Sequence, residues 1–347
     1  MKIYPSKHKI KRVEDANIDK DVSVPLAYFS GIGNGSKHGV LFKGSNYLDA
    51  CSKISTVAFD KTGTLTTGDF SIQAITTYNN FTKEEILYIA SLGEQNSLHP
   101  IAKAILKENE RKLEQVYNVR EIAGLGVYFT YDDNNYFVGR KKEEWDNDST
   151  LVCVFSNNEK IGEILLKDSI KATSCNLIKE LTTFSINNVI LSGDNEKSVS
   201  YVANSIGISE YYYNLLPQDK YKKILKLKKA NKEILAYVGD GLNDAPSLMA
   251  ADIGISMGIN GSDASIEASD IVIVDDDPYK ILTAIKISKY TRIIVIENIV
   301  LSMGIKLLFL ILAMLGITGM SSAVFADVGV TLLAIFNSMR ALFYKAK

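Results

Sequence analysis

Short apolar runs, each ending in a polar or glycine-rich cluster, recur along the middle of the chain. They are residues 56–59 before Asp60, 189–191 before Ser192-Gly193-Asp194, and 234–238 before Gly239-Asp240, followed by 253–255 and 271–274. Runs of this length separated by helical patterns predict βαβ units and a parallel sheet buried on both faces. The intervening segments comply, because 195–206 and 218–229 carry apolar residues at helical spacing with lysines opposite. Ligands of such sheets bind at the carboxyl ends of the strands, and the pattern delivers Asp60, Asp194 and Asp240 to that edge.

Between the first two strands lies an insertion of roughly a hundred residues, 71–166, large enough for its own core. Helical patterns at 83–92 and 100–113 and alternating strands at 136–138 and 151–154 predict a separate α+β domain on two hinges. The pattern changes again at the C-terminus. Residues 299–317 read IVLSMGIKLLFLILAMLGI, with Lys306 as the single charge, and a second apolar stretch at 322–336 is interrupted by Asp327. A bilayer-spanning helix needs about 20 mostly apolar residues, which the first stretch meets alone and the second with its flanks. A buried helical hairpin of a soluble domain passes the same length test. Lys286, Lys289 and Arg292 precede the pair and Arg340, Lys345 and Lys347 follow it, which predicts a hairpin with both ends in the cytoplasm. Residues 1–21 are polar and form neither a signal peptide nor a span; 22–40 are glycine-rich and too broken to cross a membrane alone.

Composition narrows the classes. Lys+Arg 39 against Asp+Glu 40 leaves a net charge of -1, so no basic field points to nucleic acid. Hydrophobic content of 46% with 23% charged residues supplies a core and excludes a disordered chain. Cys51, Cys153 and Cys175 are scattered with no CxxC pair, which argues against a disulfide scaffold or structural zinc and fits a reducing compartment.

Three carboxylates at one strand edge repel one another unless a cation sits among them. Hard oxygen donors of this kind suit Mg²⁺ together with a phosphate substrate, and a carboxylate can itself be the nucleophile that forms an aspartyl-phosphate. Each aspartate taken alone also fits a helix N-cap.

Residues 60–66 read DKTGTLT, and this seven-residue run in a strand-to-loop context resembles the phosphorylation signature of P-type ATPases. Gly239-Asp240-Gly241-Leu242-Asn243-Asp244 is similar to the family's GDGxND, and Ser192-Gly193-Asp194 to its TGD with serine for threonine. Lys220 matches the lysine that steadies the phosphoryl group. The resemblance implies a haloacid-dehalogenase-like phosphorylation domain (51–70 and 167–285), an inserted nucleotide-binding domain (71–166) and a transmembrane hairpin (286–347). Residues 22–50 would be the cytoplasmic end of a transmembrane helix with its stalk, after an atypical polar 1–21. It implies Asp60 as the nucleophile within Asp60-Lys61-Thr62, and Mg²⁺ held by Asp60, the Thr62 carbonyl, Asp240 and Asp244. Asn243 and Asp244 would support the loop, Lys220 and Ser192 would neutralise charge on the group transferred from ATP, and Gly193 and Asp194 would complete the catalytic set. Thr62 occupies the position where related phosphatases carry a second, acid/base aspartate, so a long-lived phospho-aspartate is implied.

Ser97-Leu98-His99-Pro100, with Glu94 five residues before the histidine, resembles the SxHP motif of the heavy-metal-transporting subclass, and Gly124-Leu125-Gly126 its nucleotide-approach glycines. Gly139 has Arg140 where the family has asparagine. Lys306 and Asp327-Val328-Gly329 resemble the membrane lysine and DxG of zinc/cadmium/lead exporters, which implies Zn²⁺, Cd²⁺ or Pb²⁺ as cargo, a lipid bilayer as the environment and an inner-membrane, multi-pass placement with the bulk cytoplasmic. The family's Cys-Pro-Cys pair and TGE actuator loop have no match here. Three readings follow: a catalytic C-terminal half that works with a separate N-terminal half, a remnant that does not transport, or an ATP-binding membrane sensor. Intact Asp60, Lys220 and Asp240 argue against the last.

Overall fold

The computed structural model describes residues 22–97, 99–122, 125–139, 150–230, 234–239, 244–258, 263–317 and 319–346. The chain forms two compact units, Met1–Thr64 with Ala172–Gly193 and Ala203–Lys347, and Leu65–Lys171 with Asp194–Val202.

The first unit is built on seven strands: β1 (Val40–Phe42), β2 (Ile54–Phe59), β9 (Asn187–Leu191), β10 (Glu210–Tyr212), β11 (Ile234–Gly239), β12 (Ile253–Met257) and β13 (Ile271–Ile273). Their order is β1-β13-β12-β11-β2-β9-β10, all parallel except β1, which runs antiparallel to β13 at the edge. The run-and-break pattern of the sequence is this sheet. Strands buried on both faces read as continuous apolar runs, and every residue of β12 is buried. Leu235 and Tyr237 of β11 join Ala58 and Val189 in one core with Ile224 of α7 (Pro217–Ala230) and Leu248 of α8 (Ala245–Ala250).

A helical arm continues this unit. The first apolar stretch is only the distal part of α10 (Lys280–Met314), a single helix of 35 residues, or about 52 Å at 1.5 Å per residue. The helix begins well before residue 299 because 280–298 are amphipathic and pack on protein, with Ile281, Leu282, Ile285 and Ile294 buried. It stops short of residue 317 because Gly316 takes φ +70 and the Ile317 N–H turns back to Leu312 O, the usual left-handed helix stop. The second stretch is α11 (Met320–Met339). The glycine-rich segment 22–40 carries α1 (Ser23–Lys37), a helix of 15 residues with Ala27 packed on Ile294, Val295 and Ala341. Tertiary packing overrides poor helix propensity here.

The second unit is a six-stranded antiparallel sheet of order β3-β8-β7-β6-β5-β4. Its strands are β3 (Thr66–Thr77), β4 (Tyr117–Ile122), β5 (Gly126–Tyr131), β6 (Asn134–Gly139), β7 (Thr150–Ser156) and β8 (Glu159–Ile170). Helices α3 (Lys83–Glu94) and α4 (Pro100–Glu108) lie on it, with Ile86, Leu92 and Ile105 in a core with Phe129, Val138 and Ile164. Thr82 opens α3 with a reciprocal capping box to Glu85. Helix α4 ends at Glu108, not near Leu113, because Asn109 leaves the helix (φ -84, ψ 119) and its side chain donates to Arg111 O at 2.7 Å. A local side-chain bond of this type competes with helix continuation.

Candidate functional site

Strands β11, β2 and β9 are parallel neighbours, so their C-terminal ends share one sheet edge. Asp60 comes directly after β2, with its N–H donating to Val238 O at 2.8 Å. The chain then turns through residues 61–65, with Thr62 extended (φ -76, ψ 132) and Gly63 left-handed (φ 74), a backbone that glycine adopts at little cost. Asp60, Lys61, Thr64 and Thr66 are all buried.

The centre of the site is an ion-pair cluster. The Lys220 ammonium, from the first turn of α7, donates to Asp60 Oδ1 at 2.5 Å and to Asp244 Oδ1 at 3.1 Å. Tyr237, wholly buried on β11, donates its phenol O–H to the same Asp244 oxygen at 2.8 Å. Burial by itself would lower the Lys220 pKa, but the charges and hydrogen bonds of Asp60 and Asp244 outweigh it and hold the ammonium above its ordinary value. Ser192 is buried after β9, its N–H donating to Tyr212 O and its carbonyl accepting from Leu215 N, both at 3.0 Å.

Of the sequence-predicted residues, Asp60, Lys220 and Asp244 are therefore brought together, and Lys61, Thr62, Ser192 and Gly193 belong to the same compact unit. Asp194 falls in the residue set of the other unit, and the described residues at this edge form the Asp60–Lys220–Asp244 cluster. Asp240 and Asn243 lie outside the described residues, as do Gly124, Arg140 and residues 1–21. Tyr237 was missed. Its signal was a phenol inside the apolar run 234–238, since a buried tyrosine hydroxyl needs a partner.

Fit to a divalent cation is judged on the donors present. The buried cluster presents the carboxylate oxygens of Asp60 and Asp244, and hard oxygen donors are the ligands Mg²⁺ takes. The Thr64 hydroxyl is buried with no hydrogen-bond partner among the described residues, an unfilled polar group in the same turn. The residues fit.

In the second unit, Glu94 closes α3. Burial raises its pKa, a bond from Ser97 lowers it, and the negative charge of Glu121 raises it further; the end of α3 therefore lies beside the end of β4. His99 is the N-cap of α4, its Nδ1 accepting from Ile101 N at 3.2 Å. Gly126 (φ +148) and Gly139 (φ +153) face each other across β5 and β6. A Cβ on Gly126 would meet Val138 O at 2.2 Å, and one on Gly139 would meet Leu125 O at 2.1 Å, so both glycines are required by strand packing before any ligand is considered. In the arm, Lys306 Nζ of α10 lies 3.5 Å from Asp327 Oδ1 of α11.

The model of the haloacid dehalogenase-like hydrolases matches residues 54–252. The chain is 42% identical over 340 residues to the cadmium, zinc and cobalt-transporting ATPase of Bacillus subtilis, covering 94% of this chain and 48% of that protein. It is 41% identical to the zinc-transporting ATPase of Synechocystis, covering 92% and 46%. The crystal structure of a zinc-transporting PIB-type ATPase in the E2.Pi state superposes with TM-score 0.86 at 33% identity, over 92% of this chain and 55% of that one. The chain thus spans about half the length of the curated relatives it matches.

Proposed function

Because the chain belongs to the haloacid dehalogenase-like hydrolases and is related along nearly its whole length to metal-transporting P-type ATPases, we propose that it carries the aspartyl-phosphate chemistry of a Zn²⁺/Cd²⁺ exporter. The observation that carries this reading is Asp60 at the tip of a central parallel strand, buried and held by Lys220 beside Asp244. An Asp60 carboxylate oxygen attacks the γ-phosphorus of ATP; the new O–P bond forms as the bond to the bridging oxygen breaks, and ADP leaves with that electron pair. Lys220 holds the attacking carboxylate in place and neutralises negative charge as it builds on the transferring group, the main help a protein gives phosphoryl transfer. Mg²⁺, held by Asp60, the Thr62 carbonyl, Asp240 and Asp244, would supply further neutralisation of the phosphates. Ser192 and Gly193 border the same edge, and Thr62, which cannot act as a carboxylate base, leaves the acyl phosphate long-lived.

In this proposal residues 71–166 bind the nucleotide through Glu94, His99, Gly124 and Gly126. The hairpin sits in the inner membrane with Asp327 as an oxygen ligand for the exported ion, which Lys306 replaces when the ion leaves. One carboxylate does not complete a tetrahedral zinc site, and among the described residues no cluster of three His, Cys, Asp or Glu exists. The remaining ligands would come from an N-terminal half with Cys-Pro-Cys and an actuator domain.

The test is acid-quenched labelling of the purified chain with γ-labelled ATP and Mg²⁺, followed by hydroxylamine. Label that is lost in hydroxylamine and absent in Asp60→Asn is expected. Label that persists in Asp60→Asn, or none in a chain that still binds ATP, overturns the assignment.

A further inference from the structure

At the base of the arm, where α11 ends in a short 3₁₀ turn (Arg340–Phe343), a cleft of about 560 Å³ opens between the last turns and α10. Tyr290, Phe336, Arg340, Phe343, Tyr344 and Lys345 line it. We propose that this cleft is a binding site for the phosphate headgroup of an anionic phospholipid of the cytoplasmic leaflet. The assignment goes beyond the phosphorylation chemistry and rests on α10 and α11 being membrane spans.

Depth is the first support. Helix α11 has 20 residues, about 30 Å of helix, which matches the hydrocarbon thickness of a bilayer. Arg340 follows its last residue and so stands at headgroup level. Tyr290 lies 24 residues before the end of α10, about 36 Å along the axis, just outside the same hydrocarbon layer. The exposed apolar side chains lie between these levels, with Val300 65%, Leu307 59% and Leu333 58% exposed.

Chemistry is the second. The Arg340 guanidinium donates through Nη1 to Glu297 and Asn337 and reaches the Tyr290 hydroxyl through Nη2 at 3.4 Å. Nε and the other Nη2 proton have no partner among the described residues, and a planar guanidinium with spare donors is the usual reader of phosphate oxygens. Lys345 is exposed and makes no ion pair or hydrogen bond among the described residues. Lys37 sits 5.8 Å from the Phe343 ring. Three cations against Glu297 leave the cleft positive, opposite in sign to an anionic leaflet. Aromatic walls complete it: Tyr290 and Tyr344 stack at 4.1 Å, and Phe336 and Phe343 are 67% and 68% exposed, the amphipathic lining that settles at a membrane interface.

The third support is that the cleft is built rather than formed by loose ends. Asn34 of α1 donates to both Ala341 O and Tyr344 O at 2.9 Å, which fixes the backbone carrying Arg340 and Lys345.

The full chain, purified in detergent, would be titrated with phosphatidylglycerol or phosphatidylcholine and bound lipid counted by native mass spectrometry. Phosphatidylglycerol is expected to bind preferentially. Lys345→Gln, which breaks no contact among the described residues, should weaken it about fivefold, and adding Arg340→Gln should bring the loss to roughly 25-fold. Lys226→Gln with Lys229→Gln, a charge-matched pair on α7, should leave it unchanged. Equal binding of the two lipids, equal loss in the α7 control, or displacement by inorganic phosphate would each overturn the site. Failure of the chain to float with vesicles of either lipid would overturn the spans and the site together, while Asp60-dependent labelling would be untouched by Arg340→Gln and Lys345→Gln in every case.

Discussion

Replacing Lys220 by methionine removes the ammonium that joins Asp60 to Asp244. Its ammonium lies 2.5 Å and 3.1 Å from their oxygens, and the three side chains are only 11%, 11% and 4% exposed. At an effective dielectric of about 20 the two contacts attract by roughly 6.6 and 5.4 kcal/mol before desolvation is counted. Desolvation cancels much of that, but truncation leaves two buried carboxylates uncompensated, a loss of about 3–5 kcal/mol. Amide exchange on β2 and β11 reads this locally, whatever the other unit does. Exchange at Val57, Ala58 and Phe59 should accelerate by roughly 150- to 5,000-fold in Lys220→Met. In an Asp60→Asn background the same substitution should cost about 1–3 kcal/mol less, because one of the two stranded charges is gone. The raised Lys220 pKa gives a second signature. A base with an elevated folded value contributes its full stability below the ordinary lysine pKa of 10.5 and loses it as pH climbs through the folded value. Wild-type protection on β2, corrected for intrinsic exchange, should therefore fall only above that pH, and Lys220→Met should show no such step. Acceleration below about threefold in Lys220→Met, or an identical cost with and without the Asp60 charge, would refute a buried and mutually dependent cluster.

Three smaller perturbations read other parts of the structure. Glu94 has a pKa raised by burial and by Glu121; an acid of that kind lowers stability once pH exceeds its unfolded value, so Glu94→Gln should stabilise α3 at neutral pH. The gain should vanish below the ordinary carboxylate value of 4.5, and exchange at the end of α3 measured at two pH values decides it. Gly126→Ala would place a Cβ 2.2 Å from Val138 O at φ +148, so protection across β5 and β6 should drop by more than about 3 kcal/mol; an unchanged exchange profile would show that the strands can separate freely. Gly31→Ala would bring a Cβ to 2.4 Å from Thr291 Oγ1 and should cost about 1–3 kcal/mol at the α1–α10 contact by overpacking. Thr291→Ala should restore it, and a thermal melt in detergent that shows no rescue would mean the two helices do not meet as described.

Five strands of the sheet, β2, β9, β11, β12 and β13, were legible because strands buried on both faces need apolar runs and their ends need turns; the three-residue strands β1 and β10 were not, since each is too short and too exposed to leave such a run. The turn after β2 was legible because DKTGTLT carries a glycine where the backbone needs one: Gly63 at φ 74 is the residue that lets the turn follow β2 so closely. Tyr237 was not, since a tyrosine inside an apolar run reads as core and only the tertiary position of Asp244 gives its hydroxyl a role. The residue pattern of α1 alone was harder to read, for a related reason. Gly31, Gly33 and Gly35 lower local helix propensity, yet Gly31 and Gly35 are what let α1 approach Thr291 and Phe42. A residue type that weakens an isolated helix is the one that close packing requires. The extent of α10 was hidden because its first half is amphipathic and its second half uniformly apolar, so the two halves look like different elements in sequence while forming one rod in space.

That rod, and the way α1 is joined to it, fix how the arm is attached to the sheet that carries Asp60. Polar groups buried between helices cost free energy unless they are paired. Here Asn298 donates to Ser338 Oγ at 2.8 Å, Asn337 donates to Asn298 Oδ1 at 2.9 Å, and Ser338 Oγ stands 2.8 Å from Ser23 O. Sliding α1, α10 or α11 past one another breaks several of these bonds together, and each broken bond strands a buried polar atom at about 1–3 kcal/mol. The same two helices enter the sheet side by side. Strand β1, which follows α1, pairs with β13, which precedes α10, and Lys280 Nζ at the start of α10 donates to His38 O at 2.9 Å. Neither connection can bend without pulling on the other. The base of the arm and the sheet that carries Asp60 are therefore tied together twice, through the β1–β13 pairing and through the hydrogen bonds that join α1, α10 and α11, and parting them breaks both sets at once.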